Sequence, residues 1–260
     1  MKIFIENTIL KSIFFILFFV FVQQLNATAG RNDIKLQKAS EDIKFISQQL
    51  VKDYFYLYLN PQQKEIKDHL SKELLQLDSK LRIIATSTKR DSTKKILTFL
   101  AYSRKEITKS ISKPYTSENS TIVLDYSEIL LEGAGKISKE HSYTFSEEEA
   151  MLINAKNMAY MLERINKYYM MLLSGFNDSN NIKQLEHAIA SFDMLLEKVN
   201  NYTYRGDISI EVNEINSYWK VVRGYYLSLE ESKLSNILYI SADYLEDLIS
   251  KLELYHNKSL

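Results

Sequence analysis

The chain has 260 residues, no cysteine, and 33 Lys/Arg against 33 Asp/Glu, a formal net charge of zero. Lack of cysteine excludes a disulfide framework, iron–sulfur clusters, c-type haem attachment and a thiol nucleophile. The balanced overall charge argues against nucleic acid, which is not expected as a partner.

Residues 1–29 read as an export signal. Lys2 and Lys11 supply positive charge, SIFFILFFVFV over 12–22 is the apolar core, and Ala27-Thr28-Ala29 is a small-residue cleavage site. The apolar run is shorter than the roughly 20 residues a bilayer span needs. The expected location is therefore periplasmic or secreted, with an N-terminal membrane anchor as the alternative, since Ile9 and Leu10 lengthen the run.

Only six glycines and two prolines punctuate the chain, and its apolar residues recur at helical spacing. Ile66, Leu70, Leu74, Leu77, Leu81 and Ile84 draw one stripe. An all-α fold is predicted, with helices near 31–59, 61–87, 91–113, 117–138, 146–174, 178–200, 207–229 and 231–256. Asn60-Pro61, Asp91, Ser117, Asp178 and Asp207 are the expected start signals. Ser146 with Glu149 reads as a capping box.

ISQQLVKDYFYLYLN at 46–60 returns as MLERINKYYMMLLSG at 161–175, with Lys52 and Lys167 in register 115 residues apart. The same shift places Leu70 on Leu185, Leu77 on Phe192, Asp78 on Asp193, Leu100 on Ile215 and Leu130 on Leu245. Helices merely sharing a period would not hold one register over four segments. Two tandem antiparallel four-helix bundles, 30–145 and 146–260, are expected from duplication. The first carries 20 basic against 15 acidic residues and the second 11 against 17. The basic excess lies within 80–113, a solvated face or a docking surface for an acidic partner, another copy's second unit included.

The opening helix of each unit resembles the signature helix of the extracytoplasmic sensor domain of type IV pilus methyl-accepting chemotaxis transducers and nitrate/nitrite sensor kinases. The residues that carry the likeness are Phe45-Ile46-Ser47-Gln48-Gln49-Leu50-Val51-Lys52-Asp53-Tyr54 and Tyr160-Met161-Leu162-Glu163-Arg164-Ile165-Asn166-Lys167-Tyr168, with Trp219 in a later helix. The resemblance spans 31–256 as two copies. It implies a sensor-type ligand-binding module with a small-molecule ligand of unknown identity. It further implies a membrane receptor or sensor kinase as partner, and a homodimer. Because the chain ends at Leu260, signalling is expected to pass through a separate membrane protein. Asp42 and Asn157 stand where the sensor kinases hold an oxyanion with arginine, so nitrate sensing is not expected.

Six residues on these helices are the ligand-binding candidates: Gln48, Gln49, Lys52, Asn157, Arg164 and Lys167. The competing reading puts them on a solvated flank, with both lysines snorkelling along the apolar stripe. Tyr54-Phe55-Tyr56-Leu57-Tyr58 and Tyr168-Tyr169-Met170-Met171 wrap too much of a helix to face one core. They are read as a core rim or an exposed aromatic patch. Metal-ligand spacing of the bundle type occurs only at Glu253-Leu254-Tyr255-His256. No metal, cofactor or enzymatic activity is expected. A helical interaction or scaffold protein without a small-molecule ligand is the alternative function.

Overall fold

A computed structural model describes residues 32–228 and 234–260. The predicted export signal lies outside the described residues, as does the junction at 229–233. The described residues are all-α, with no strand. Helix α1 covers 32–59. It is followed by α2 (Lys64–Ser87), α3 (Asp91–Ile111), α4 (Ser117–Glu140), α5 (Glu147–Leu173), α6 (Ser179–Asn201), α7 (Ile208–Ser228) and α8 (Ser235–Lys258). No helix among the described residues is long and apolar enough to cross a membrane.

The helix ends show which start signals operate. Ser146 accepts from the Glu149 amide while Glu149 returns the bond to the Ser146 amide, the predicted capping box. Asp178 caps α6 through the amides of Asn180 and Asn181. At α4 the cap is Thr116, one residue ahead of the predicted Ser117, and at α3 Arg90 precedes Asp91. Asn60 does not open α2: its amide and side chain both donate to the Tyr56 carbonyl, so it closes α1, and α2 begins after Gln63.

Helix α5 ends in a Schellman motif. Phe176 N–H donates to the Met171 carbonyl and Gly175 N–H to that of Leu172, with Gly175 at φ 95° and Phe176 packed on the core. Helix α4 lies so close to α3 that a Cβ on Gly133 would come within 2.4 Å of a Leu100 methyl.

Helix α5 packs on α6 and α8, α6 on α7, and α7 on α8, closing a circuit. Helices α2, α3 and α4 pack in sequence, and α1 is tied to α4 by paired bonds between Gln37 and Ser138. One core gathers Leu77, Leu100, Ile107, Leu130 and Ile137 around Ile43 and Leu50. The other gathers Phe192, Ile215, Trp219, Leu245 and Leu252 around Leu162 and Tyr169.

Helices α1 and α5 lie at the centre and run parallel. Asp42 meets Lys156, Lys44 meets Asn157, and Gln48 meets Arg164, with both partners advancing together along the chain. A helix buried on all sides need not be amphipathic. Tyr54, Phe55, Tyr56, Tyr168, Tyr169, Met170 and Met171 are accordingly buried, which corrects the rim reading, while Tyr58 remains exposed.

Candidate functional site

The polar residues of α1 and α5 face each other across a seam closed to solvent. Lys52 is fully buried. Its Nζ lies 2.9 Å from Glu163, 3.6 Å from Asp53 and 3.7 Å from Asp243 of α8, and 4.5 Å from the centre of the Tyr239 ring. Desolvation pulls this ammonium down, but the carboxylates of Glu163, Asp53 and Glu246 outweigh it and hold Lys52 well above the ordinary lysine value. Lys52 is a fixed cation of the core.

Arg164 donates to Gln48 Oε1 at 3.2 Å and to Tyr168 Oη and Gln184 Oε1, each at 3.1 Å. Lys167, also buried, pairs with Glu128 of α4. Burial dominates there and lowers its pKa to about 8 despite the carboxylate. Asn157 accepts from Lys44 at 3.1 Å and donates to the Ile153 carbonyl at 2.9 Å. Gln48 and Gln49 are both buried. The snorkelling reading is therefore overturned: once α1 and α5 pack on each other, their polar faces become interior. Five of the six candidates are brought together with intramolecular partners along this seam, and Gln49 is buried beside them.

Next to the seam the structure opens a cleft of about 850 Å³ between α1, the start of α2 and the turn into α4. Tyr54, Leu57, Leu70, Leu74 and Ile111 floor it. Tyr115 stacks on Tyr58 at 3.6 Å and on Tyr54 at 5.4 Å between ring centres. The Tyr54 and Tyr115 hydroxyls are buried beside Ser120. Lys67 and Lys113, both exposed, supply positive charge at its edge. Such a cavity, apolar with a few directed polar groups, has the composition of a small-molecule site. None of the six candidates lines it. A second groove, about 650 Å³, is flanked by Lys35, Lys38, Lys80 and Lys156, but Lys156 and Lys80 are both paired with Asp42.

On the other side of α1, Asp53, His69 and Glu73 converge. His69 Nδ1 lies 2.7 Å from Asp53 Oδ2 and 3.7 Å from Glu73 Oε1. Tyr239 donates to the other Asp53 oxygen at 2.8 Å. Burial, reinforced by the charge of Asp53, raises the Glu73 carboxyl well above the carboxylate range. Burial pulls Asp53 upward too, but Lys52 and His69 outweigh it and hold Asp53 low. Sequence spacing missed this group. Its one local sign was the pair His69 and Glu73, four apart on a single helix face. Glu253 and His256, which did have ligand spacing, diverge: Glu253 pairs with Lys156 at 2.9 Å and His256 with Glu148 at 2.7 Å.

No known protein family matches the chain, and neither does any curated protein or solved structure.

Proposed function

We propose that this protein is an exported, sensor-type ligand-binding module that acts through a separate membrane receptor or kinase. On this reading it is made of two tandem four-helix bundles from an internal duplication, fused so that α1 and α5 pair as the seam helices of a dimer would. The observation that carries the ligand-binding reading is the tyrosine-lined cleft with lysines at its edge. That chemistry suits an aromatic or short aliphatic carboxylate: the rings take the apolar body and the lysines the anionic end. Tyr54 on the cleft floor directly follows Lys52 and Asp53, so an occupant pressing on α1 acts next to the buried ions of the seam.

Support for the duplication comes from bonds repeated at a spacing of 115 residues. Asp78 accepts from Arg104 at 2.6 Å, and the equivalent Asp193 accepts from the equivalent Trp219 at 2.8 Å. His141 meets Asp33 at 3.1 Å, and the equivalent His256 meets the equivalent Glu148 at 2.7 Å. Parallel seam helices agree with the same reading, because a two-fold axis running along the seam pairs like elements in the same direction.

The test is thermal unfolding of the protein against a panel of aromatic and aliphatic carboxylates, with Tyr115→Ala and Arg164→Ala alongside. A ligand at 100 times its dissociation constant adds about 2.7 kcal/mol to stability. A shift abolished by Tyr115→Ala locates the ligand in the cleft, and one abolished by Arg164→Ala alone moves it to the seam. No shift across the panel favours the alternative, a helical interaction protein without a small-molecule ligand. One feature supports that alternative: Val221, Tyr225, Ile237 and Ile240 are exposed together on α7 and α8, partly along a groove of about 310 Å³.

A further inference from the structure

We propose that Asp53 of α1 with His69 and Glu73 of α2 forms a binding site for a divalent transition-metal ion of the zinc class. One oxygen or nitrogen from each residue lies within 4.8 Å of the other two. A tetrahedral ion with ligands at about 2.0–2.2 Å sets its donor atoms roughly 3.3–3.6 Å apart. The observed separations of 2.7 Å and 3.7 Å from His69 Nδ1 bracket that value, so small side-chain rotations are enough to form the site.

Glu73 is the observation that points to a ligand. It is only 2% exposed, no partner outside this group meets its carboxylate oxygens, and within the group they face Asp53 and His69. A buried carboxyl satisfied by nothing but a second carboxyl is costly, and native structures give such groups a role. Its Oε1 lies 3.7 Å from His69 Nδ1 and the carboxyl borders Asp53, where a cation would satisfy it. The rest of the site is organised for this. Tyr239 and Lys52 engage Asp53 Oδ1, leaving Oδ2 toward His69, and such outer contacts orient metal-binding carboxylates. His69 is partly exposed, which gives the ion a path from solvent.

Charge points the same way. Asp53, Glu73, Glu163, Asp243 and Glu246 all interact with the ammonium of Lys52, five carboxyls around one lysine, with His69 beside Asp53. The duplication reading adds a comparison and is the only part of the argument that depends on it. The positions equivalent to Gln49, Asp53 and His69 are Arg164, Tyr168 and Gln184. In the second unit the Arg164 guanidinium sits between Tyr168 and Gln184. The first unit has a neutral glutamine in place of that arginine and metal-type ligands in place of its two acceptors. One imidazole with two carboxylates suits zinc, manganese or iron better than calcium, which prefers an all-oxygen shell.

The test uses chelator-stripped protein titrated with Zn2+ alone by calorimetry, with Co2+ as an optical probe of geometry. The expected result is saturable one-to-one binding and a rise in unfolding temperature. Glu73→Gln keeps the shape and neutrality of a buried carboxyl, so it should fold normally and bind ~100-fold or more weakly. His69→Asn, at a partly exposed position, should do the same, whereas His187→Asn, at an exposed histidine away from the cluster, should bind like the parent. Lack of saturable binding, or parental affinity in both Glu73→Gln and His69→Asn, overturns the site. Either result leaves the carboxylate cleft to be judged by its own assay.

Discussion

Replacing Lys52 with methionine probes the centre of the molecule. The substitution keeps chain length and removes the charge, leaving Glu163, itself fully buried, without the ammonium at 2.9 Å. At that separation the attraction is about 6 kcal/mol with an effective dielectric constant of 20. Desolvation of both groups offsets much of it, so the pair is not worth that sum. Removing one partner alone is different, because the other charge stays buried, and the expected loss is about 3–5 kcal/mol. For a chain of this size that lowers the unfolding midpoint by roughly 6–20 °C. Urea unfolding of Lys52→Met, Glu163→Met and the double variant gives the measurement. Each single variant should lose several kcal/mol, and the double should recover only part of it, since Asp53 stays buried beside the lost ammonium. A Lys52→Met chain within about 1 kcal/mol of the parent, at unchanged urea sensitivity, would refute a closed seam.

Lys167 responds to pH in a defined direction. Its folded pKa of about 8 lies below the ordinary 10.5, so the unfolded chain binds more protons between those values. Its charge therefore costs stability below pH 8, and that cost is relieved as pH rises toward 10.5, by at most about 3 kcal/mol. Urea midpoints at pH 7 and pH 9.5 should rise more steeply in the parent than in Lys167→Met, and equal slopes contradict the burial. Gly175→Ala forces a left-handed φ of 95° on a residue with a Cβ and should cost about 1–2 kcal/mol in the same assay. Ser146→Ala, which removes the acceptor of the capping box, should cost about 1 kcal/mol by thermal unfolding, and Ser146→Asp should restore it.

The sequence by itself determined the eight helices and most of their ends. The stripe from Ile66 to Ile84 contains Leu70, Leu74 and Leu77, all buried as the period requires. The Ser146 and Asp178 caps follow from local hydrogen bonds a sequence can announce. Asn60 was misread because the same side chain can open one helix or close another, and the backbone path decides which.

What only the tertiary structure decided is the fate of the polar residues on α1 and α5. Gln48, Lys52, Arg164 and Lys167 read equally well as a wet flank until a second helix covers them. Periodicity describes one helix at a time and carries no sign of its neighbour. The encounter of Asp53 with His69 and Glu73, and the stacking of Tyr115 on Tyr58, join residues from different elements. Their closeness depends on how helices cross, a property of the packed chain and not of any local spacing.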